Sequence, residues 1–328
     1  MKIMVTGAAG FIGSNLVGYL IDHGHHVIGV DNFNSFYSPK VKEYNLKEFA
    51  NNKNLTLYRV DLLDIKAFEN IFTTESDLQT IVHLAAWPGV TKSFDIPNVY
   101  IKNNIEATIN VLEAAKKFGP KNVIFTSSSS VYGDSPTPFV ETMSTDRPLA
   151  PYPATKKACE VLMYSYAKNF EINITILRIF NPNGPKLRPD LAIPNLVKSC
   201  IYGNEFTQFW DDKAAEQTGR DYCYVGHILE AIEFVAAHPF EYEIFNLGNS
   251  SPVSLTKLIS TVEEVTGKKA NIIKKPSRKG EMQMTYADIS KAEKTLSYKP
   301  TTSIKEIVQI YYDWFLKQEE WYKKLKSA

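Results

Sequence analysis

The segment YPATK, residues 152–156, places a tyrosine four positions ahead of a lysine. Residues four apart lie on the same side of a helix, so a helix here would bring the phenol of Tyr152 near the ammonium of Lys156. A tyrosine titrates near pH ~10 and is a poor base at neutral pH, but a nearby cation favours the phenolate. Pro153 suits the first turn of a helix and disfavours helical dihedrals in the preceding residue, which predicts that Tyr152 is a cap residue.

A serine tract precedes this tyrosine. The run FTSSSSVYG, residues 125–133, begins as an apolar strand pattern and continues as serines. A flexible polar linker is one interpretation. The other is a binding site, because ligands of open α/β sheets bind beyond the carboxyl ends of parallel strands. A serine hydroxyl placed there could share the proton of Tyr152 and position a substrate hydroxyl.

The elements that would position these residues alternate along the first half of the chain. Strands are predicted for KIMVTG, HHVIGVD, LTLYRVD, TIVHLAA, NVIFTSS and INITILRIF, and a long helix for IPNVYIKNNIEATINVLEAAKKFG. Strict alternation predicts an α/β fold with a doubly wound parallel sheet. We expect a dinucleotide-binding domain over 1–180 and a smaller α/β lobe over 181–328, with segments near 226–247 returning to the sheet.

The first strand is followed by a glycine-rich turn. Gly7, Gly10 and Gly13 suit a tight turn, close approach of a pyrophosphate and close packing of helix on strand. The amides at the start of the following helix would stabilise phosphate charge. Asp31 ends the second strand 24 positions after Gly7, near the roughly 20-residue spacing of a carboxylate that binds the adenosine ribose. Asn32 is not basic, so the pattern favours NAD over NADP.

Two further segments belong to the expected dinucleotide site. Asp61, which ends the third strand, could bond the adenine edge or cap the next helix, and the two roles are compatible. The small residues of HLAA would let the cofactor approach, whereas His83 is expected to be a buried, hydrogen-bonded residue. No metal site is predicted. The expected cofactor-binding residues are Gly7, Gly10, Phe11, Ile12, Gly13, Asp31, Asn32, Asp61, Leu62, Leu84, Ala85, Ala86, Asn103, Tyr152 and Lys156.

The composition excludes several other classes of protein. Among 328 residues the formal net charge is +1, so nothing indicates nucleic acid or an anionic membrane as a partner. Cys159, Cys200 and Cys223 have no metal-ligand spacing and are typical of reduced thiols in a cytosolic protein. No apolar run is long enough for a membrane span or a signal peptide, and we expect a cytoplasmic protein.

Over nearly its whole length the chain resembles the extended short-chain dehydrogenase/reductases, and among them the nucleotide-sugar 4-epimerases. The matching segments are TGAAGFIGS, DNFN, HLAA, the serine tract with VYG, YPATK, GRDY, RKGE and YADISKA. The resemblance implies that Ser128 is the catalytic serine and Tyr152 the acid/base. Lys156 would hold the nicotinamide ribose and acidify Tyr152. It also implies that hydride passes from carbon 4 of a UDP-sugar to NAD and returns to the opposite face of a 4-keto intermediate.

The resemblance further implies a substrate site and an assembly. Arg220 and Arg278 match phosphate-binding arginines, whose planar forks suit that charge, and Glu281 stands where an aspartate commonly meets the uridine ribose. A homodimer would form through a four-helix bundle made by helices near 97–118 and 153–170. The expected substrate-binding residues are Ser129, Ser130, Asn181, Arg188, Arg220, Arg278 and Glu281.

The segments DNFNSFYSPKVKEYNLKEF and GPKLRPDLA resemble the UDP-glucuronate 4-epimerases. Arg188 matches a residue that meets the sugar carboxylate there, and a buried carboxylate needs such a donor. Four features depart from that group: Asn181 replaces threonine, as in UDP-galactose 4-epimerases, Trp87 and Thr91 replace glutamine and arginine, and residues 226–227 are not acidic. Conversion of UDP-glucuronate to UDP-galacturonate is expected, and the alternative is a UDP-glucose or UDP-N-acetylglucosamine 4-epimerase.

Two other classes compete with an epimerase. A UDP-glucuronate decarboxylase or a sugar 4,6-dehydratase would carry an acidic residue just before VYG, where this chain has Ser130. A non-catalytic NAD-binding regulatory protein could keep the same fold. The presence of Ser128, Tyr152 and Lys156 together argues against that last class.

Overall fold

The computed structural model of the chain describes residues 1–210, 219–276 and 284–325. The strands are β1 Lys2–Thr6, β2 His26–Val30, β3 Leu55–Tyr58, β4 Thr80–His83, β5 Asn122–Ser128, β6 Asn173–Ile179, β7 Pro182–Asn183, β8 Glu205–Trp210, β9 Gly219–Asp221, β10 Cys223–Tyr224, β11 Tyr242–Leu247, β12 Pro252–Ser254, β13 Asn271–Pro276 and β14 Met284–Thr285. The helices are α1 Phe11–Asp22, α2 Pro39–Leu46, α3 Ile65–Thr74, α4 Val90–Asp95, α5 Pro97–Tyr100, α6 Ala107–Phe118, α7 Pro151–Asn169, α8 Ala192–Tyr202, α9 Val225–Ala237, α10 Leu255–Thr266, α11 Ser290–Leu296, α12 Ile304–Leu316 and α13 Glu320–Lys323.

A seven-stranded parallel sheet organises the molecule in the order β3-β2-β1-β4-β5-β6-β11. The strand order reverses direction between β1 and β4, and ligands of such sheets bind at this switch point. The six strands predicted from the sequence are all present, and the doubly wound fold is confirmed. Helix α9 leads into β11, which lies at the edge of the sheet beside β6.

The central strands are buried on both faces, as their unbroken apolar runs require. In β1, Ile3 and Val5 belong to one apolar cluster and Met4 to another, which follows from the two-residue period of a strand. Leu16 of α1 packs into the first cluster and Val111 of α6 into the second. Each such buried side chain stabilises the fold by roughly 1.5–3 kcal/mol.

The long helix predicted before β5 is interrupted. Between α5 and α6 the backbone forms a π-helical turn over Ile101–Glu106, and Gly119 ends α6 with a left-handed φ of 91°. Such π-helical turns occur frequently at functional sites. Asn104 in this turn accepts a hydrogen bond from the amide of Trp87 (2.7 Å) and donates one to Thr155 of α7 (2.9 Å), so it joins a loop to the next helix.

Short pairings dominate the chain beyond β6. In this part β7 pairs with β10, β8 with β13, and β9 lies between β12 and β14, while α8 and α12 both pack against α10. The division into domains at residue 180 stays a prediction. Over the described ranges, no helix has the length and apolar character needed to cross a membrane.

Candidate active site

A cavity of about 750 Å³ opens beyond the carboxyl ends of β1, β4 and β5. Every residue predicted to bind the cofactor lines it, and so does Ser128. Of the predicted substrate residues, Ser129, Asn181, Arg188 and Arg220 line the same cavity. Arg278 and Glu281 lie outside the described residues. One cavity therefore brings the glycine turn, the serine tract and the YPATK segment together.

The glycine turn leaves no room for side chains. Gly7 has a φ of 72°, and a Cβ there would lie 2.9 Å from the amide nitrogen of Ala85. A Cβ on Gly13 would lie 2.1 Å from the carbonyl oxygen of Gly7, so only glycine lets α1 approach the turn this closely. Gly10 caps α1, and the first helical residues, Phe11 and Ile12, line the cavity. The amide-rich start of a 12-residue helix thus adjoins the cavity and fits an anion.

The carboxylate of Asp31 is buried and engaged at both oxygens. Its Oδ2 accepts a hydrogen bond from the amide of Ala9 (3.1 Å), and its Oδ1 accepts one from the amide of Phe33 (2.7 Å). Lys42 Nζ lies 3.6 Å from Oδ1 and lines the cavity as well. Burial lowers the pKa of Lys42, and the charge of Asp31 opposes that shift. No sequence pattern indicated Lys42, whose charge neutralises the predicted ribose ligand.

Asp61 is not a helix cap, and that interpretation was wrong. Asp64 caps α3 by accepting a hydrogen bond from the amide of Ala67 (3.1 Å). The carboxylate of Asp61 instead accepts hydrogen bonds from Asn32 Nδ2 (2.9 Å) and from the amide of Leu63 (2.9 Å). The hydrogen bond between Asp61 and the amide of Leu63 closes a turn before α3 begins. The helix cap is therefore Asp64, three residues after Asp61. Asp61 still lines the cavity.

His83 is a buried, hydrogen-bonded residue, as predicted. Its Nδ1 lies 2.8 Å from Thr6 Oγ1 and its Nε2 lies 3.0 Å from Thr108 Oγ1. Burial lowers its pKa to about 3, and the nearby positive charge of Lys156 acts in the same direction. The imidazole is therefore neutral at physiological pH. Within residues 1–210, 219–276 and 284–325, no group of three or more His, Cys, Asp or Glu could hold a metal ion.

Tyr152 lies inside α7, so the prediction that it caps the helix was wrong. Ala150 is the cap, and Pro151 takes the first helical position. Pro153 is still within the first four residues, whose amides have no intrahelical partner, so its missing proton costs nothing. Tyr152 and Lys156 consequently lie one helical turn apart.

Burial raises the pKa of Tyr152, while a hydrogen bond with Ser128 and the positive charge of Arg188 lower it. Both residues line the cavity, and their pairing in proton transfer stays a prediction. The ammonium of Lys156 donates to the carbonyl oxygen of Thr126 (2.9 Å), and its role in acidifying Tyr152 stays a prediction. The net result is a pKa of Tyr152 above the usual value for tyrosine, and the positive charge of Arg188 opposes that shift.

Lys156 gives a prediction for the pH dependence of the reaction. Burial lowers its pKa to about 8, and the charges of Cys159 and Glu160 oppose this shift. Below that pH the ammonium can donate to the backbone and to a bound ribose, and above it the amine is neutral. We expect kcat/KM to fall as the pH rises through about 8.

The measurement is kcat/KM between about pH 7 and about pH 10. In Lys156→Arg the guanidinium keeps its charge over this range, so the descending limb should disappear although the rate is lower. A limb that persists in this variant would assign the titration to another group.

The serine tract divides its hydroxyls between two directions. Ser129 lines the cavity. Ser130 is not part of the lining: its hydroxyl lies 2.9 Å from Ser128 Oγ, and its amide donates to the same oxygen (3.2 Å), so its role in substrate binding stays a prediction. The turn that follows β5 points Ser130 back toward Ser128. Ser130 can therefore orient the hydroxyl of Ser128.

The substrate side of the cavity contains a partly exposed ion pair. Arg188 donates through Nε and Nη2 to the two carboxylate oxygens of Asp190, at 3.0 and 2.7 Å. The guanidinium also lies 5.3 Å from the ring of Phe36. Asn181 has a φ of 22°, and its carbonyl accepts a hydrogen bond from the amide of Cys223. The sequence did not predict that Arg188 is already paired.

Sequence reasoning also missed an aromatic wall formed by Phe36, Tyr37 and Trp87, all of which line the cavity. Phe36 and Trp87 meet edge to face with their centroids 5.4 Å apart, and Lys92 Nζ lies 4.5 Å from the centroid of Phe36. The only available signal was the aromatic cluster FNSFY after the second strand, which has no periodicity that would indicate a site.

The family of the chain follows from comparison with known proteins. A family model described as the NAD dependent epimerase/dehydratase family matches residues 3–248. The chain belongs to the NAD dependent epimerase/dehydratase family. NAD, the dinucleotide of this family, fits the cavity, because the glycine turn and the start of α1 suit a pyrophosphate and Asp31 lies at the end of β2.

Similar members of the epimerase/dehydratase family include a UDP-glucuronate 4-epimerase from Thermodesulfobacterium geofontis, which is 36% identical and aligns over 98% of each chain. A solved structure of a UDP-glucuronic acid 4-epimerase from Bacillus cereus, in complex with UDP-glucuronic acid and NAD, superposes with a TM-score of 0.88 at 35% identity, over 96% of this chain and 98% of that one. A UDP-N-acetylglucosamine 4-epimerase from Methanobrevibacter ruminantium superposes with a TM-score of 0.87 at 30% identity, over 97% and 99% of the two chains.

Proposed function

We propose that the protein is an NAD-dependent isomerase that inverts carbon 4 of a UDP-sugar and that UDP-glucuronate, converted to UDP-galacturonate, is its preferred substrate. One observation carries the proposal: Ser128, Tyr152 and Lys156 line the same cavity as the glycine turn. A proton-transfer pair and a dinucleotide cradle in one cavity are what reversible oxidation of a hydroxyl requires.

The residues of the cavity divide the reaction between them. The glycine turn would hold the pyrophosphate of NAD, Asp31 the adenosine ribose, and Lys156 the nicotinamide ribose. Bound NAD supplies a hydride acceptor and donor. Tyr152 takes the proton of the sugar 4-hydroxyl and later returns one. Ser128 holds the 4-hydroxyl oxygen and the Tyr152 oxygen in position for this transfer. Burial excludes water from this exchange, and Arg188 stabilises the phenolate that forms.

Arg188 supports the choice of a uronate sugar. A carboxylate in a buried site needs a cation or several donors, and the guanidinium lines the cavity next to Tyr152. Asp190 occupies its Nε and Nη2, which leaves Nη1 for a sugar carboxylate. The relatives from T. geofontis and B. cereus act on or bind this sugar.

A neutral hexose is the second candidate, and the same ion pair favours it. Asp190 already neutralises the charge of Arg188. A sugar without a carboxylate would therefore not leave this guanidinium without a partner. Asn181 instead of threonine fits this alternative too. The relative from M. ruminantium acts on UDP-N-acetylglucosamine. A lyase remains the rival from another class.

A homodimer and a cytoplasmic location complete the proposal. The helical segment 97–118 and α7 expose large apolar side chains: Ile101 is 49% exposed, Val161 56% and Tyr164 50%. Pairing these helices with a second copy would bury that surface in a four-helix bundle.

The three cysteines are free thiols, which supports a reducing compartment. The product would serve as a sugar donor in polysaccharide biosynthesis.

The dimer gives a direct prediction. Glutamate at both Val161 and Tyr164 would place four like charges in the bundle, so the variant is expected to be monomeric. Size-exclusion chromatography with light scattering measures this, and Lys168→Glu, at an exposed position of the same helix, is the control. A wild-type protein that is monomeric would contradict the proposed bundle.

Product identification tests the proposed function. The purified protein is incubated in turn with UDP-glucuronate, UDP-glucose and UDP-N-acetylglucosamine, without added NAD. We expect UDP-galacturonate from the first and slower or no conversion of the others. A faster epimerisation of a neutral sugar would favour the second candidate. Carbon dioxide and a UDP-pentose would identify a lyase and overturn the proposal.

A further inference from the structure

A buried ion pair joins α7 to β6 next to the serine tract, and no step described above uses it. Arg178 of β6 donates through Nε to Glu160 Oε1 (3.0 Å) and through Nη2 to Glu160 Oε2 (2.8 Å). Each side chain is 2% exposed. Removing two charges from water is costly, and an apolar pair of similar volume would often be as stable. The ion pair therefore calls for an explanation beyond packing.

The same ion pair holds both flanks of the segment that carries Ser128. Before it, Ser127 donates through Oγ to Glu160 Oε1 (2.6 Å). After it, Arg178 Nη1 donates to the hydroxyl of Tyr132 (2.9 Å), which in turn donates to Asn246. The residues between these two anchors are 128–131. Their backbone is thus fixed at both ends by one pair of charged side chains.

Helix α7 reaches β5 at two consecutive residues. Lys156 donates to the carbonyl of Thr126, and Glu160, one helical turn further on, accepts from Ser127. Tyr152 lies one turn before Lys156 on the same helix. These contacts set the register of α7 against the end of β5, and that register decides how far the hydroxyl of Tyr152 lies from Ser128.

We propose that Glu160 and Arg178 are positioning residues, which clamp the two ends of the 127–132 segment and so hold Ser128 in place beside Tyr152 in the cavity. The proposal rests on the proposed function, because it assigns these residues to the same proton transfer. Charged partners suit the task, since hydrogen bonds to ionised groups are stronger and more directional than those between neutral groups.

Two variants remove one anchor each and leave the ion pair intact: Ser127→Ala and Tyr132→Phe. We expect each to lower kcat by about tenfold to a hundredfold, because small displacements of catalytic groups have effects of this size. KM should stay within about twofold, since the hydroxyls of Ser127 and Tyr132 are assigned no contact with the substrate. The pH dependence of kcat should also change, because a displaced Ser128 no longer lies beside the hydroxyl that exchanges the proton.

Ser127→Thr, which keeps the hydroxyl, should restore most of kcat and the pH profile. The matched control is Thr175→Val in β6, which removes a buried hydroxyl that has no hydrogen-bond partner and should match the wild type. If Ser127→Ala and Tyr132→Phe lower the melting temperature but keep the wild-type kcat and pH profile, the pair is only structural and the proposal is overturned.

A crystal structure of Ser127→Ala shows the position of Ser128 without any measurement of activity. It therefore tests this proposal separately from the proposed function. A Ser128 hydroxyl displaced from Tyr152 would support the clamp, and an unmoved one would overturn it. Failure to epimerise any UDP-sugar by the wild-type protein would count against the proposed function alone.

Discussion

Tyr152→Phe is expected to lower kcat for epimerisation by about 10²- to 10⁴-fold, the usual contribution of a positioned acid/base. The substitution removes the only atom of this side chain that exchanges a proton and keeps the ring that fills the site. Binding of NAD should be nearly unchanged, since the glycine turn and Asp31 are untouched. The measurement is kcat on UDP-glucuronate together with the NAD content of the purified variant.

Tyr100→Phe is the matched control for this variant. Its ring lies next to that of Tyr152, with centroids 6.2 Å apart, but its hydroxyl donates to the backbone carbonyl of Pro88 (2.6 Å) and does not meet Ser128. Its kcat should stay within a few-fold of the wild type. A Tyr152→Phe variant that epimerises as fast as this control would show that the phenol is not the acid/base.

Arg188→Ala is expected to lower kcat/KM for UDP-glucuronate by about tenfold to a hundredfold, because a hydrogen bond to a charged group contributes about 1.5–3 kcal/mol. The variant loses the cation for the sugar carboxylate and leaves Asp190 without its partner. UDP-glucose has no carboxylate, so its kcat/KM should fall less. The ratio of the two kcat/KM values is the quantity to measure.

Asp190→Asn separates the two effects of that variant. It keeps the guanidinium of Arg188 and removes the charge that competes with a sugar carboxylate, so the preference for UDP-glucuronate should increase. If Arg188→Ala lowered kcat/KM equally for both sugars, the arginine would support Tyr152 or the fold rather than select the uronate.

Much of the fold could be predicted because its signals are local. Strand runs such as KIMVTG and NVIFTSS carry their own periodicity, and the glycine turn carries its own spacing. The two incorrect helix caps have local causes as well. Pro153 indicated a cap at Tyr152, but Pro151 already occupies the first helical position, and Asp64 rather than Asp61 lies where α3 begins.

The remainder of the site depends on contacts between segments far apart in the chain. Nothing near Asp31 in the sequence predicts its pairing with Lys42, and nothing near Glu160 predicts its pairing with Arg178 of the next strand. Asp190 is close in sequence to Arg188, but only the folded loop turns the two side chains toward each other. Pairings of this kind become visible only in the structure.

Epimerisation of UDP-glucuronate in D₂O tests the central claim most directly, since Tyr152 is assigned to move only the hydroxyl proton. The product is isolated and its isotopic content at carbon 4 is measured by mass spectrometry and NMR. We predict UDP-galacturonate that retains its original hydrogen on carbon 4. Deuterium at carbon 4 would mean that a side chain removes a proton from carbon, and it would contradict the account.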